Sequence, residues 1–144
     1  MEFKAKFFEE LSTYELYDIL KARCQIFTVE QRIICLDPDG VDYEALHCIL
    51  EDSTGLVAYL RGYKVSEDTV KIGRVLSLTH GIGHGSELMR RAMPEIVNKF
   101  ECNKILVHAQ KHAEGFYSGF GFKPVSEDFM EEGVPHVAME LILT

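Results

Sequence analysis

Three glycines at every second position, Gly81, Gly83 and Gly85, separate a β-branched, apolar run from a pattern typical of a helix. Because glycine has no Cβ, such a turn can take left-handed conformations and leave its N–H groups free to point at a ligand. The run before the turn, residues 70–78, predicts a strand. The helix after it has an apolar face formed by Leu88, Met89, Ala92 and Ile96. The free N–H groups of its first turn attract an anion, so we expect a phosphate-sized site between strand and helix.

This turn departs from the two common nucleotide-binding motifs. It lacks the Gly-Lys-Ser/Thr of a P-loop, and no third glycine follows Gly83 at the spacing of a dinucleotide fingerprint. A structural interpretation, in which Gly81 and Gly83 only close a tight strand-to-helix connection, stays open.

The composition is that of one globular domain, which we expect to span residues 1–144. Apolar residues make up 47% of the chain and charged residues 26%, which argues against disorder. No apolar run reaches the roughly 20 residues that span a bilayer, and residues 1–7 alternate polar and apolar instead of forming a secretory signal. We therefore expect a cytoplasmic protein that engages no membrane. The net charge of −8 disfavours nucleic acid and favours a cationic small molecule or peptide as partner.

Neither the cysteines nor the acidic loop of this chain has the spacing of a metal site, so we predict no metal. Cys24, Cys35, Cys48 and Cys102 are predicted to be reduced thiols, half or more of them in the core, with Cys24 and Cys102 as core thiols. Residues 37–42, which read Asp-Pro-Asp-Gly-Val-Asp, do not fit an EF-hand. The charges of this loop fit a solvated face and the recognition of a cationic acceptor equally well.

The order of patterns along the chain predicts a mixed α/β fold, with one sheet covered by helices. Ser12 and Glu15 form a capping box that starts a helix. The apolar face of that helix is predicted to be Leu16, Ile19, Leu20, Cys24 and Phe27. Strands are predicted at residues 2–8, 47–51, 56–63, 70–77, 104–109, 122–125 and 135–143, with the second to fourth as an antiparallel meander. Helices follow at 83–100, where Pro94 predicts a bend or an early end, and at 113–120.

Two stretches resemble the GNAT family of N-acetyltransferases. A strand ending in Ala109-Gln110 is followed by Phe116-Tyr117 and then by Gly121-Phe122. The segment His80-x-x-Gly83-x-Gly85 is similar to the family's acyl-CoA loop, in which Gln or Arg stands where this chain has His80. Four further patches, at residues 23–31, 56–61, 72–75 and 133–136, resemble the ElaA-type subgroup.

The resemblance implies a central, mostly antiparallel sheet with one parallel, splayed strand pair, flanked by helices. It also implies acetyl-CoA as co-substrate. Its pyrophosphate would lie on the backbone of the glycine turn and the start of the helix, formed by His80, Gly81, Ile82, Gly83, His84, Gly85 and Ser86. Its pantetheine arm would lie along the backbone of Val75, Leu76 and Ser77, and Gln110 is a further predicted cofactor-binding residue.

By the same resemblance, Tyr117 is the general acid that protonates the leaving thiolate, with a core aromatic as the alternative. The candidates for the general base are Glu30, His47, His108 and His136, and we favour Glu30 and His136. The implied activity is transfer of an acetyl group to a primary amine of a small molecule or peptide, and a homodimer stays open. The alternatives are a non-catalytic acyl-CoA-binding regulatory module and a nucleotide- or phosphate-binding domain of another class.

Overall fold

The computed structural model describes residues 1–143 and contains one mixed sheet of eight strands with three α-helices. The elements in chain order are β1 (Glu2–Phe7), α1 (Thr13–Arg23), β2 (Leu46–Asp52), β3 (Gly55–Lys64), β4 (Thr69–Ser77), α2 (His84–Phe100), β5 (Lys104–Gln110), α3 (Glu114–Ser118), β6 (Lys123–Pro124), β7 (Phe129–Glu131) and β8 (Val134–Ile142). The strand order is β1-β2-β3-β4-β5-β8-β6, and β7 pairs with β8. The predicted fold class is confirmed.

The centre of the sheet is one parallel strand pair that separates along its length. Strands β1 to β4 form the predicted antiparallel meander, and α2 crosses over so that β5 runs parallel to β4. The pairing joins Thr69–Ile72 only to Lys104–Val107, although both strands continue beyond these residues. The splayed pair that the family resemblance implied is therefore present.

A β-bulge in β4 lies where the two strands part. The register with β3 shifts between the pairs Tyr59↔Leu76 and Arg61↔Gly73, so β4 contains one residue more than β3 over this stretch. Arg74 lies in the bulge with a φ of 53°, a left-handed conformation that is uncommon for a residue with a side chain. A bulge bends its own strand, and it therefore contributes to the separation of β4 from β5.

Helix α1 packs on one face of the sheet and begins with the predicted capping box. Ser12 Oγ accepts a hydrogen bond from the N–H of Glu15 at 3.0 Å, and Glu15 Oε1 accepts one from the N–H of Ser12 at 2.8 Å. The helix continues as a wider, π-type segment over Cys24–Glu30. Its buried apolar side chains are Ile19, Ala22 and Ile26, which pack on Ile49, Tyr59 and Leu76.

The cysteines divide between core and surface. Cys48 and Cys102 are buried, whereas Cys24 and Cys35 are exposed. The prediction that half or more are in the core is confirmed, but the core position predicted for Cys24 is wrong. The buried stripe of α1 runs through Ile19, Ala22 and Ile26, which turns Cys24 toward solvent.

Helix α2 packs on the opposite face of the sheet. Its predicted apolar face, Leu88, Met89, Ala92 and Ile96, is fully buried. The helix does not end early at Pro94 and runs on to Phe100. Pro94 and Arg90 are both exposed, so water can bond the Arg90 carbonyl that the missing proline N–H leaves free. Within residues 1–143, no helix has the length and apolar character needed to cross a membrane.

The acidic loop is exposed to solvent at residues 38–40, as predicted, but it is not a free acidic surface, because its aspartates pair with three arginines of the fold. Arg23, which is completely buried, and Arg61 both donate to Asp42 Oδ1, at 2.7 and 2.9 Å. The remaining ion pairs join Arg23 to Asp37 at 2.8 Å, Arg61 to Asp39 at 2.6 Å, and Arg74 to Asp37 at 2.9 Å and to Asp39 at 3.5 Å. Burial alone would raise the pKa of Asp39, but the hydrogen bond and charge of Arg61, the Val41 N–H and the charge of Arg74 together outweigh it and lower that pKa to about 2. The pairs hold this loop against the sheet.

Replacing Asp42 by alanine leaves the buried guanidinium groups of Arg23 and Arg61 without a shared partner. We expect the free energy of unfolding to fall by about 3–5 kcal/mol, as for the loss of one side of a buried ion pair. Urea denaturation measures this change. Glu44→Ala removes the same charge from an exposed neighbour and should change stability by less than about 0.5 kcal/mol. Equal stability of the two variants would contradict the structural role of Asp42.

Candidate active site

A cleft of about 590 Å³ opens where β4 and β5 separate. Its floor includes Gly73 and Val75 of β4 and Val107 of β5, and Tyr117 of α3 reaches it as well. The segment that follows α1, residues 27–39, forms part of its wall. The hairpin of β7 and β8 forms another part, with Glu131, Glu132 and His136.

The glycine turn that follows β4 has the conformation that its sequence predicts, although none of residues 80–86 lines the cleft. Gly81 and Gly83 have φ values of 80° and 86°, and a Cβ added at either residue would meet nothing within 4 Å. Gly83 is the N-cap of α2, and no side chain caps this helix. Its carbonyl accepts the first helical hydrogen bond, from Glu87, so the N–H groups of residues 84–86 have no partner within α2. The turn is therefore open to an anion.

Helix α3 packs against the start of α2. The ring of Phe116 lies 3.5 Å from the position that a Cβ on Gly85 would occupy. This contact brings the neighbouring Tyr117 close to the glycine turn. Glycine at position 85 thus serves close packing rather than a left-handed backbone, since its φ is not positive.

The ring of Tyr117 belongs to the core, whereas its hydroxyl opens to the cleft. The residue is 6% exposed and packs edge-on against Phe116 and Phe122, with centroids 5.2 and 5.7 Å away. Its hydroxyl makes no hydrogen bond within residues 1–143, yet it is not among the buried polar atoms that lack a partner, so it is accessible from the cleft. Burial raises the pKa of Tyr117 and keeps the phenol protonated at neutral pH.

The backbone of β4 has a free edge facing the gap. The Leu78 N–H donates to the Val57 carbonyl at 2.9 Å, and Leu76 and Ser77 lie opposite Tyr59 and Ala58. The backbone N–H and C=O groups of successive residues in a strand point to opposite sides. The groups of Leu76 therefore point toward β3, as those of Leu78 do, whereas the groups of Ser77 point to the open side of β4. The Leu76 side chain is buried beneath α1. Of the three predicted pantetheine contacts, Ser77 presents its backbone to the gap and Val75 lines the cleft.

His80, which was predicted to bind the cofactor, contacts Glu30, which was predicted as a general base. His80 Nε2 lies 2.9 and 3.1 Å from the two carboxylate oxygens of Glu30. Both side chains are exposed, and neither lines the cleft. The structure thus places the predicted base Glu30 at the end of the α1 extension, bonded to the glycine turn. Gln110 of β5 does line the cleft, where it donates to Gln31 at 2.8 Å.

His136 enters the cleft with a defined tautomer. Its Nδ1 lies 2.7 Å from the Val134 carbonyl, which can only accept, so Nδ1 carries the proton and Nε2 is the basic atom. The ring is 7% exposed and stacks on Phe129, with centroids 6.0 Å apart. Nε2 makes no hydrogen bond within residues 1–143 and is not among the buried unpartnered atoms, so it faces the cleft. Glu131 Oε2 lies 3.8 Å from it.

The other two candidate bases lie in different surroundings. His47 is completely buried, outside the cleft, where its Nε2 donates to the Asp42 carbonyl at 2.9 Å and its Nδ1 accepts from the Tyr59 hydroxyl at 2.6 Å. Burial lowers the pKa of His47 and keeps it neutral. His108 lines the cleft, with Nδ1 3.0 Å from Glu131 Oε1 and 3.2 Å from Lys71 Nζ.

Glu131 is a cleft residue that the sequence patterns did not single out. It ends β7, a strand of three residues, and the turn that follows has φ values of 48° at Glu132 and 74° at Gly133. Positive φ at both central residues is typical of a two-residue hairpin turn. Glu132-Gly133 between two strand-like stretches was thus a usable, though weak, signal. Among residues 1–143 no cluster of three or more side chains is arranged to bind a metal.

Comparisons with known proteins agree on the family. Residues 41–143 match the family model described as an acetyltransferase (GNAT) domain. A UPF0039 protein of Schizosaccharomyces pombe is 37% identical over 147 residues, which cover 99% of this chain and 98% of that protein. Protein ElaA of Escherichia coli is 36% identical over 136 residues, which cover 90% of this chain and 89% of ElaA.

Solved structures give the same result. The crystal structure of Escherichia coli ElaA matches with a TM-score of 0.90 and 34% identity, covering 97% of this chain and 99% of that one. An acyl-CoA N-acyltransferase from Pseudomonas aeruginosa matches with a TM-score of 0.89 and 30% identity, again covering 97% and 99%. The resemblance to the ElaA-type subgroup is confirmed. The chain therefore belongs to the GNAT family of acetyltransferases.

Proposed function

We propose that this chain is an acetyl-CoA-dependent N-acetyltransferase that transfers an acetyl group to a primary amine of a small molecule or peptide. The observation that carries this proposal is the gap between β4 and β5. It joins a free strand edge to the accessible Tyr117 hydroxyl, and the strand with this edge leads through the glycine turn to the uncapped start of α2. Membership of the GNAT family and the similarity to an acyl-CoA N-acyltransferase support the same activity.

Backbone groups would bind most of the co-substrate. The N–H groups of the glycine turn and of residues 84–86 would hold its pyrophosphate, an arrangement that needs no arginine. The peptide group of Ser77 and the region of Val75 would bond the amides of its pantetheine arm. An N–H at this strand edge would polarise the thioester carbonyl, a contact worth about 3 kcal/mol in the transition state.

In the proposed reaction the amine nitrogen bonds to the thioester carbon, and the carbon–sulfur bond then breaks. Tyr117 would donate its hydroxyl proton to the departing sulfur, and the phenolate would recover, through solvent, the proton that the nitrogen of the tetrahedral intermediate loses as the amide forms. A phenol whose pKa is raised by burial remains protonated and available for this step. Of the favoured bases, His136 presents a free Nε2 to the cleft, whereas Glu30 is bonded to His80 outside it. We therefore assign the base role to His136.

Release of free thiol from acetyl-CoA tests the activity. The acceptor panel should include polyamines, aminoglycosides, amino acids and peptides. We expect turnover with at least one class of primary amine. Binding of acetyl-CoA without turnover over the whole panel would instead indicate the regulatory module considered above.

Tyr117→Phe removes one hydroxyl that has no protein partner within residues 1–143 and leaves the ring in the core. We expect kcat to fall by about 10²–10⁴-fold, the usual contribution of a general acid, with the affinity for acetyl-CoA unchanged. Steady-state kinetics and calorimetry measure the two effects. Tyr63→Phe, at another tyrosine that lines the cleft, should retain kcat. Equal kcat for wild type and Tyr117→Phe would remove Tyr117 from the mechanism.

Gly83→Ala places a methyl group where a phosphate would approach the backbone. We expect the Kd for coenzyme A to rise about tenfold or more, since both the approach and the left-handed backbone are affected. Gly40→Ala is a matched control, because Gly40 also has a positive φ, 84°, with nothing within 4 Å of an added Cβ. It lies in the acidic loop and should leave the Kd unchanged. The same Kd for all three proteins would exclude the glycine turn as the phosphate site.

The two favoured bases can be separated by the pH dependence of kcat/KM. A base acts only when deprotonated, so kcat/KM of the wild type should rise with pH. His136→Asn should abolish this rise, and Glu30→Gln should keep it. The opposite pattern would assign the base to Glu30.

A further inference from the structure

Two hydrogen-bond acceptors converge in the cleft without a donor between them. His136 Nε2 and Glu131 Oε2 lie 3.8 Å apart, too far for a direct hydrogen bond. Nδ1 of His136 lies 2.7 Å from the Val134 carbonyl, so the other ring nitrogen, Nε2, is the one that can accept a proton. Neither Nε2 nor Glu131 Oε2 has a hydrogen bond within residues 1–143. Such a pair is stabilised by a group that donates to both atoms.

The remaining contacts of Glu131 leave one oxygen for a ligand. Oε1 lies 3.0 Å from His108 Nδ1, and Lys71 Nζ lies 3.2 Å from the same nitrogen. Oε2 has no hydrogen bond within residues 1–143. Burial alone would raise the pKa of Glu131, but the hydrogen bond with His108 and the nearby charges of His108, Lys71 and His136 hold it below its usual value. Glu131 therefore stays ionised at neutral pH.

The charges on the loop side of the cleft are already paired within the fold. Arg61 bonds Asp39 through both of its terminal nitrogens, and Arg74 bonds Asp37. The same side offers apolar surface from Phe27, Ile33 and Leu36, and Leu36 is 82% exposed. A ligand that matches this cleft has a cationic donor group and an apolar body.

We infer that Glu131 and His136 together form the subsite for the acceptor amine and that the acceptor is a protonated primary amine with an apolar body. A primary ammonium has three N–H donors, so one can reach Glu131 Oε2 and another His136 Nε2. Transfer of the second proton to Nε2 leaves a neutral amine with a free electron pair, and the imidazolium remains beside the Glu131 carboxylate. The Glu131 carboxylate binds the cationic form of the substrate. After the proton transfer it stabilises the positive charge on the His136 imidazolium. This inference rests on the proposed function.

The test measures amine binding rather than turnover. Ethylamine, hexylamine and phenethylamine are titrated at neutral pH into the full-length chain saturated with coenzyme A. Binding is followed by calorimetry and by the nitrogen resonances of His136. We expect saturable binding that shifts Nε2, with hexylamine and phenethylamine tighter than ethylamine. Hexanol, which has the same chain without the charge, should not shift Nε2.

Glu131→Gln keeps the shape of the side chain and removes its charge. It should weaken hexylamine binding about tenfold or more, as expected when a charge-assisted hydrogen bond is lost. Glu127→Gln removes the same charge from an exposed residue that does not line the cleft, and it should bind hexylamine within about twofold of wild type. Unchanged coenzyme A affinity in both variants shows that they are folded.

Three results would overturn the inference: the same amine affinity in Glu131→Gln and wild type, equal responses to hexylamine and hexanol, or no response of His136 to any of the three amines. The comparison of hexylamine with hexanol uses the wild-type chain, so it decides the question even if Glu131→Gln does not fold. If the wild type acetylates an amine and Glu131→Gln binds that amine with normal affinity, the subsite is refuted and the proposed function stands. Amine binding at Glu131 without any thiol release would refute the proposed function alone.

Discussion

The structure depends on the point at which β4 and β5 stop pairing. Up to Ile72 and Val107 the two strands form an ordinary parallel ladder that closes the core beneath α2. Beyond it, the bulge at Arg74 bends β4, and the backbone on one side of that strand loses its neighbour. Unpaired peptide groups inside a sheet are costly unless water or a ligand bonds them. The same departure from regular pairing creates the cleft and supplies the groups that can bind a ligand in it.

The two sides of the cleft differ in whether their charged groups are already paired within the fold. Arg23, Arg61 and Arg74 hold the loop of residues 37–42 against the sheet, and that loop then walls the cleft. The buried guanidinium groups of Arg23 and Arg61 are stable only as pairs, and Arg74 is paired as well, so these charges are already used within the fold. On the hairpin side, Glu131 and His136 keep acceptor atoms without a donor. The acceptor atoms that remain open to a cationic ligand are therefore on one short hairpin.

Features set by neighbouring residues could be predicted from the sequence. Ser12 and Glu15 are three positions apart and cap α1 by themselves, and Gly83 adopts the left-handed conformation that its position before α2 suggests. The position of Tyr117 in the cleft follows from a motif that is local as well. The resemblance to a known family then related these pieces to one fold.

Features set by distant residues could not be predicted in this way. Arg61 and Asp39 are 22 positions apart, and Arg74 and Asp37 are 37 apart, so nothing local showed that the acidic loop is neutralised. Glu131 acquires its place only because a three-residue strand pairs with β8. Cys24 turns outward because the buried stripe of α1 continues through Ile26 instead. The uncapped beginning of α2 also depends on its surroundings: an anion held there would complete the first helical turn from outside. Stability against heat and proteolysis would then rise with the concentration of that anion, so folding of this chain and occupancy of its glycine turn form one linked equilibrium.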